Sequence, residues 1–488
     1  MKGVEVFASY SQQPIPEYVG NPLIEALPPI LPEETAAQLI ANFPQPVDPE
    51  ELKLDRSTRL HCIDRLRTVV QPFLIHLDLE STISLLIRRG YVGRNPTSPT
   101  TVRHLHSLSG AQRYNDGFKS TAETFSLVGL SGIGKSTALH AILSLYPQTI
   151  RHQRYEGKQF VQTQITWLKL DCPRDGSLSG FCQQFFIAVG RALGDEDYHK
   201  RYRPRNINDA LLRMEQVAST FFIGALLIDE LQNLHLAKTG GKENMLNFFL
   251  SLVNNLGIPV VFIGTNSMID LFSWVMRNAR RCCGVGVLEF KRFEKEDEEW
   301  RMLVENLWDY QWCRQKAELT DEVFEALYDH TQGVTDFLVK LLVLSQRYAL
   351  QSGLETVTTE TIALVSNTKM QILKPALSAL RSRDPERMRR FDDLLPMEEQ
   401  LNDMMAFTGD GRSASLGLLR AVNTRNPATA QPAATEPPID TPHAPPAVAV
   451  EGSQAREFSK SEDSLAALKS AGWIGTDLFE FSPTYRRG

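Results

Sequence analysis

The stretch Thr124–Thr137, TFSLVGLSGIGKST, decides the fold of this chain. A short run of β-prone residues leads into the pattern Gly-x-x-x-x-Gly-Lys-Ser, which places a glycine turn between a strand and a helix. Glycines let backbone N–H groups curl around a phosphate, the lysine supplies a point charge, and the serine hydroxyl is suited to ligate a metal. The pattern predicts a phosphate-binding loop made of Gly129, Ser131, Gly132, Ile133, Gly134, Lys135, Ser136 and Thr137.

Length and composition are those of an ordinary globular protein of two or three domains. The chain has 488 residues, of which 42% are hydrophobic and 23% charged, and its formal net charge is −6. This acidic balance does not exclude nucleic acid, because one face can still be basic. The 6 cysteines form no C-x-x-C pair, and no apolar run is long enough for a signal peptide or a membrane span. We therefore expect a soluble protein of the reducing cytoplasm.

Downstream of the loop, apolar runs typical of buried strands alternate with amphipathic stretches typical of helices. The pattern predicts, for example, a helix from Leu178 to Leu193, a strand from Val260 to Gly264 and a last strand from Val285 to Phe290. This alternation predicts an α/β fold, a doubly wound parallel sheet whose ligands gather at the carboxyl ends of the strands. Only helical periodicity follows at 291–375, which we interpret as an α-helical lid.

Composition divides the rest of the chain into four further regions. A proline-rich extended arm with a short helix near 33–42, and two helices between 57 and 90, form an N-terminal region (1–106) ahead of the P-loop core at 107–290. A helical extension (376–422), a disordered Pro/Ala-rich linker (423–458) and an apolar-aromatic docking tail (459–488) follow the lid. Arginines of the N-terminal helices are either a solvated face or a contact for nucleic acid or a partner: Arg56, Arg59, Arg65, Arg67, Arg88, Arg89 and Arg94.

Two acidic residues follow a later apolar run, LLI, at the end of a predicted strand. Asp229 occupies the place from which a carboxylate holds Mg²⁺, and Glu230 beside it is suited to polarise a water molecule. Thr265 and Asn266 end a neighbouring strand and are candidates for hydrogen bonds to that water or to a γ-phosphate. The motifs predict an ATPase that requires Mg²⁺, with Ser136 and Asp229 as metal ligands and Glu230, Lys135, Thr265 and Asn266 as catalytic residues.

These motifs lack a cation that would neutralise the charge of the transition state. Arg277, Arg280 and Arg281 follow a helix predicted through Met276, at a position that faces outward in such sheets. One interpretation is that Arg280 or Arg281 enters the site of a neighbouring subunit, which implies a ring or a filament. Surface arginines at a helix end are the alternative.

The order of phosphate loop, Asp-Glu, Thr-Asn, arginines and helical lid resembles that of AAA+ ATPases. In detail the chain resembles the TnsC-like ATPase regulators of heteromeric bacterial transposons and, more distantly, the TniB and MuB proteins. The resemblance covers about residues 15–375. It is carried by Ile87–Pro96, Gly129–Thr137 with Tyr146-Pro-Gln148, Leu168–Pro173 with Asp175-Gly-Ser177, and Ile228–Gln232.

The resemblance implies a bacterial cytoplasmic protein that binds ATP and Mg²⁺, polymerises as a ring or filament on duplex DNA, and marks a target site for transposition. Hydrolysis would dismantle the assembly. The N-terminal region would meet a target-selection protein, in some systems an RNA-guided one, and the tail would meet the transposase. DNA contacts in such proteins come from loops after the second strand and the next helix, where this chain has Arg174, Ser177, Lys200 and Arg201.

The chain departs from AAA+ proteins at one point, and two other functions remain open. The segment Gly333–Phe337 lacks the nucleotide-sensing lid arginine that is common in AAA+ proteins.

A nucleotide-switched AAA+ protein that acts on protein partners without DNA would share every ATP-site residue, and its basic loop at 198–202 would be a solvated surface. A P-loop kinase of small molecules is disfavoured, because Glu230 beside Asp229 suits the activation of water.

Overall fold

The computed structural model describes residues 4–109, 118–202, 206–236, 241–268 and 284–384, together with 387–388, 391, 395 and 398–405. The chain divides into two units, Met1–Gly417 and Leu418–Gly488, and every described residue lies in the first. The predicted helix through Met276, the linker and the docking tail lie outside the described residues. Among the helices that the structure describes, none is long and apolar enough to cross a membrane.

A five-stranded parallel sheet forms the centre of the protein. Its order is β5-β6-β7-β2-β8, and each neighbouring pair is parallel, which requires crossover connections such as helices. The predicted doubly wound α/β fold is therefore confirmed. The strands of the described residues are β1 Glu5–Phe7, β2 Thr124–Gly129, β3 Thr149–Tyr155, β4 Lys158–Ile165, β5 Trp167–Asp171, β6 Ala225–Asp229, β7 Val260–Gly264 and β8 Gly286–Phe290.

Helices cover both faces of this sheet and continue after it. The helix predicted from Leu178 to Leu193 has these bounds in the structure, because Ser177 caps its first turn and Gly194 ends it at a φ of +71°. The α-helices of the described residues are α1 Pro22–Glu25, α2 Glu33–Ile40, α3 Arg56–Cys62, α4 Leu74–Val92, α5 Pro99–Ser109, α6 Lys135–Leu143, α7 Leu178–Leu193, α8 Ile207–Thr220, α9 Gly241–Leu256, α10 Glu298–Trp308, α11 Asp321–Thr331, α12 Thr335–Ser352, α13 Thr359–Thr368, α14 Lys374–Ser382 and α15 Glu398–Met405.

Alternate side chains of the central strands enter two different cores. Leu226 and Ile228 of β6 belong to a core shared with α7, α8 and α9. Ala225 and Leu227 belong to a second core, shared with α4 and α6. Since both faces of the sheet are buried, its strands appear in the sequence as continuous apolar runs and not as alternating patterns.

Helices α10 to α14 form the lid around a core of their own. Trp300, Trp312 and Phe337 are fully buried there. Ile63 and Leu66, in a short 3-10 helix after α3, belong to the same core, so the N-terminal region contributes to the lid. The predicted helical region after the sheet is confirmed.

Three of the N-terminal arginines are buried, so neither interpretation that we gave them from the sequence holds for these three. Arg59, Arg88 and Arg94 are 1%, 1% and 5% exposed. Arg59 forms a two-point ion pair with Glu355 of the lid, at 2.6 and 2.7 Å. Arg88 and Arg94 donate to backbone carbonyl groups of neighbouring segments. An arginine on an amphipathic helix is predicted to lie at the surface, but a guanidinium group can be buried where acceptors of neighbouring segments surround it.

A second, three-stranded sheet is missing from the sequence-based prediction. The periodicity predicts an extended arm at the N-terminus and no strand between α6 and β5, yet β1 pairs with β3, and β3 pairs with β4. The inward side chains of this sheet include polar groups: His152 Nε2 lies 2.9 Å from Gln164 Oε1, and its Nδ1 lies 2.9 Å from the Tyr10 hydroxyl. Because these polar residues satisfy one another, the strands lack the apolar signal that sequence patterns rely on.

Candidate nucleotide-binding site

Three positions of the loop between β2 and α6 require glycine, two because of their backbone conformation and one because of close packing. Gly132 and Gly134 have φ values of +79° and +100°, which residues with a side chain rarely adopt. Gly129 is required by close packing, because a Cβ atom there would lie 2.5 Å from the carbonyl oxygen of Phe290 on β8. The loop conformation is thus built into these positions.

The loop borders a cavity of about 400 Å³. The ammonium group of Lys135 lies within the loop, where Nζ donates to the carbonyl oxygens of Gly129 (2.7 Å) and Leu130 (2.8 Å). The N-terminus of α6 adds backbone N–H groups and the positive end of its dipole, so this wall of the cavity is suited to an anion. The loop residues that line the cavity are Ser131, Gly132, Ile133, Gly134, Lys135, Ser136 and Thr137.

Asp229 and Glu230 line the same cavity at the carboxyl end of β6. Asp229 is buried; its Oδ1 accepts the backbone N–H of Glu230 (2.9 Å), and its Oδ2 lies 2.8 Å from Lys169 Nζ on β5. Burial disfavours the charge of Lys169, but the hydrogen bonds and charges of Asp229 and Asp171 together outweigh burial and raise the pKa of the lysine. Burial, and then the charge of Asp229, raise the pKa of Glu230. Glu230 adopts a φ of +56°, a strained backbone conformation for a residue with a side chain.

Gln232 joins the two acidic positions to the end of β7. Its Nε2 donates to Glu230 Oε2 (2.6 Å), and its Oε1 accepts the backbone N–H of Thr265 (3.3 Å). Thr265 lines the cavity, and its hydroxyl lies 2.8 Å from that of Ser267. The Oδ1 atom of Asn266 is buried without a hydrogen-bond partner among the described residues. Gln232, two residues after Glu230, was not among the predicted site residues.

The start of the lid helix α12 contacts the glycine loop and forms one wall of the cavity. The Thr335 hydroxyl and the Asp336 N–H, at the start of α12, both donate to the carbonyl oxygen of Gly132 at 3.1 Å. Lys340, one turn later, lines the cavity and forms an ion pair with Asp336. No arginine is present at this turn, but Lys340 supplies a cation that the sequence pattern did not point to.

The N-terminal region forms the remaining wall, which sequence reasoning also missed. Val69, Val70, Gln71, Phe73 and His76 line the cavity. Burial lowers the pKa of His76 to about 4, so the imidazole is neutral near pH 7. The site is therefore assembled from the sheet, the lid and the N-terminal helices together.

The residues predicted to contact DNA lie elsewhere, on the loops after β5 and α7. Arg174 is exposed, whereas Ser177 caps α7 and accepts the N–H of Gly180 at 3.2 Å. Lys200 pairs with Asp197 (2.6 Å) and Arg201 pairs with Asp195 (2.7 Å), and both basic side chains are about two-thirds exposed.

The two tyrosines beside these basic residues are packed inside. Tyr198 is buried, its hydroxyl lies 3.0 Å from that of Tyr202, and the Tyr202 ring stacks on Phe186 with a centroid distance of 4.8 Å. These contacts support the loop, and the buried Tyr198 is not presented for stacking on bases. The other predicted residues, Arg280 and Arg281, lie outside the described residues.

Comparison with known proteins identifies the core of the chain. A family model described as an AAA domain matches residues 119–272, which include the glycine loop, the acidic pair and Thr265. The chain therefore contains an AAA domain. No curated protein matches the sequence significantly.

Solved structures are similar to parts of this chain at low sequence identity. The Walker-type ATPase paby2304 of Pyrococcus abyssi is 15% identical, covers 58% of this chain and 83% of its own, and has a TM-score of 0.34. Cdc6p of Pyrobaculum aerophilum is 14% identical, with coverages of 64% and 87% and a TM-score of 0.36. A chain of Drosophila ORC bound to DNA is 14% identical, with coverages of 80% and 90% and a TM-score of 0.35.

Proposed function

We propose that this chain binds ATP with Mg²⁺ at the carboxyl edge of its central sheet and hydrolyses the nucleotide. The observation that carries the proposal is one cavity that brings together Lys135, Asp229, Glu230 and Thr265 from three separate strand ends. The loop amides and Lys135 would hold the phosphates. The lid and the N-terminal wall would enclose the remainder of the nucleotide, which limits the access of bulk water.

The donor atoms of the site fit Mg²⁺. Ser136 and Asp229 line the cavity and offer a hydroxyl and a carboxylate oxygen, the hard ligands that Mg²⁺ prefers, and the open cavity leaves room for its waters. When bound, Mg²⁺ would neutralise charge on the β- and γ-phosphates.

Glu230 is the group best placed to accept a proton from an attacking water. Its carboxyl group faces the cavity, and its raised pKa brings it closer to the working range of a general base. Gln232 holds Oε2, so the free Oε1 is left for the water. The backbone N–H of Thr265 donates to the same glutamine. Gln232 would therefore couple a contact between Thr265 and the γ-phosphate to the position of the Glu230 carboxylate.

Nucleotide binding tests the site directly. Lys135→Ala should reduce the affinity for a fluorescent ADP or ATP analogue by about a hundredfold or more, because it removes the charge inside the loop. Lys316→Ala, which removes an exposed lysine of the lid, is the matched control. Equal affinity in the Lys135→Ala protein would overturn the proposal.

We further propose that nucleotide binding drives assembly on duplex DNA, as in the TnsC-like regulators that the sequence resembles, so that the chain links a target-selection protein to a transposase. Support comes from the resembling stretches and from the exposed Arg174, Lys200 and Arg201. These side chains would contact phosphates and would make binding salt-dependent. Arg280 or Arg281 would complete the site of a neighbouring subunit, and the tail at 459–488 would dock on the transposase.

A switch that acts on protein partners alone is the second candidate function. The ion pairs of Lys200 and Arg201 with Asp197 and Asp195 favour it, because both basic charges are already partly neutralised. The burial of Tyr198 also favours this function, because its ring is not presented for stacking on bases.

Electron microscopy of the full chain with duplex DNA separates the two functions. Rings or filaments that thread DNA with a non-hydrolysable ATP analogue, but not with ADP, would support the DNA-bound regulator. The double variant Lys200→Ala, Arg201→Ala should then lose DNA-stimulated ATPase activity, whereas the control Arg314→Ala, Lys316→Ala should keep it. Particles that do not bind DNA in either nucleotide state would support the switch that acts on protein partners alone.

A further inference from the structure

The ion pair between Lys169 and Asp229 has no counterpart among the motifs of the sequence. Lys169 Nζ lies 2.8 Å from Asp229 Oδ2, and the two side chains are only 22% and 8% exposed. The other oxygen of Asp229 accepts the N–H of Glu230. Both oxygens of the carboxylate are therefore occupied in the protein by itself. A divalent cation that used Asp229 would meet an ammonium group already bound to it.

The register of the sheet provides a second carboxylate for this ammonium group. Asp171 on β5 pairs with Asp229 on β6, so the two acidic residues stand side by side at the carboxyl ends of their strands. Lys169, two residues before Asp171 on the same strand, shares its face of the sheet. Its Nζ is 3.6 Å from Asp171 Oδ1, less than 1 Å farther than from Asp229.

The space around Lys169 would allow its ammonium group to move from Asp229 to Asp171. Lys169 and Asp171 both line a second cavity, of about 310 Å³, which Asp229 does not line. Asp171 is 67% exposed, so its carboxylate is hydrated and costs little to pair with a cation. The buried Asp229, in contrast, needs a positive partner at all times.

We propose that Lys169 is a positioning residue. Its ammonium group neutralises Asp229 while no metal is bound, and it moves to Asp171 when a divalent metal ion binds. This inference rests on the proposed function, in which Asp229 holds Mg²⁺. Lys169 thereby keeps the buried carboxylate compensated before the metal arrives and sets how tightly the metal is held. Asp171 acts as the receiving site, so the two residues influence metal affinity with opposite sign.

The experiment measures Mn²⁺ as a probe of the divalent site by electron paramagnetic resonance. It uses the full chain saturated with a non-hydrolysable ATP analogue. Lys169→Met should bind Mn²⁺ about threefold to tenfold more tightly, because a competing charge next to the carboxylate is gone. Asp171→Asn should bind it about threefold more weakly, because the displaced ammonium group has lost its acceptor.

Matched controls exist on the lid, where Lys316 and Asp309 form an exposed ion pair at 2.9 Å. Lys316→Met and Asp309→Asn should leave the Mn²⁺ affinity unchanged. Unchanged or weaker binding in a folded Lys169→Met protein would overturn the inference, as would an unchanged affinity in Asp171→Asn. If Lys169→Met does not fold, Asp171→Asn decides, because it leaves the contact with Asp229 intact.

The same data separate this inference from the proposed function. If the unmodified chain binds the nucleotide analogue but no Mn²⁺, Asp229 is not a metal ligand and the proposed function fails. If the unmodified chain binds Mn²⁺ and the two variants do not differ from it, only the role of Lys169 fails.

Discussion

The N-terminal helices and the carboxyl edge of the central sheet both bury charged groups, but they do so in different ways. Arg59, Arg88 and Arg94 of the helices are tied to carbonyl groups or to the carboxylate of Glu355. At the sheet edge, the buried Asp229 pairs with Lys169 and lines a cavity together with Glu230. In the first region the guanidinium groups link separate segments of the chain, whereas in the second the two carboxylates line a cavity.

This difference teaches how to interpret a charged residue in such a chain. A buried guanidinium with several acceptors links segments, and its removal is expected to cost stability. A carboxylate that lines a cavity, such as that of Glu230, is a candidate for chemistry, and its removal is expected to cost activity more than stability. Mutations can therefore test the comparison, since the two regions should respond in different measurements.

The largest effect is expected at Glu230. Glu230→Gln should lower the rate of ATP turnover by about a hundredfold to a thousandfold, while nucleotide affinity stays within about twofold, because only the proton acceptor is lost. Steady-state phosphate release and analogue binding measure the two quantities. Glu318→Gln, at an exposed lid position, is the control. Normal turnover by Glu230→Gln would remove the proton-acceptor role from this residue.

Arg59→Met should affect stability and leave the chemistry alone. The change breaks the pair with Glu355 and removes a bond to the carbonyl oxygen of Trp312, so the free energy of unfolding should fall by about 3 kcal/mol. Denaturant unfolding measures this loss. Arg56→Met, at an exposed position of the same helix, should change stability by less than about 0.5 kcal/mol. Equal stabilities of the two variants would show that the buried pair does not link α3 to the lid.

Gln232→Ala should produce a smaller loss of turnover, by about tenfold, because Glu230 loses the donor that orients its carboxylate. The kcat should fall and the KM for ATP should stay the same, since no contact with the nucleotide is removed. Gln315→Ala, at an exposed position, controls for the loss of a glutamine side chain. A raised KM with an unchanged kcat would instead assign Gln232 to nucleotide binding.

The smallest effect is a pH dependence of the Arg59–Glu355 pair. Hydrogen bonding from Arg59 lowers the pKa of Glu355 below its ordinary value of 4.5. The stability that the pair contributes is therefore complete above pH 4.5 and is lost as the pH falls through the lowered pKa. The stability difference between the unmodified chain and Arg59→Met should narrow as the pH is lowered from 6 to 3. A constant difference across that range would contradict the assignment.

The sequence predicted the glycine loop, the acidic pair and the parallel sheet because each has a strong local pattern. Loop glycines have fixed spacing, and strands buried on both faces form continuous apolar runs. The hairpin of β3 and β4 escaped prediction because its inward side chains His152 and Gln164 are polar and satisfy each other. Gln232 and Lys169 escaped because a single polar residue near a motif has no pattern of its own. The roles of Thr265, Asn266 and the basic loop remain predictions.

By itself, the amino-acid sequence determined that this chain folds as a P-loop α/β sheet followed by helices. Only the tertiary structure decided which charges face a cavity and which are buried as links. It placed Lys169 on Asp229, Gln232 between Glu230 and Thr265, and Arg59 on Glu355. The physical reason is that patterns of hydrophobicity and glycine act over a few residues, whereas the environment of a charge depends on segments that are distant along the chain.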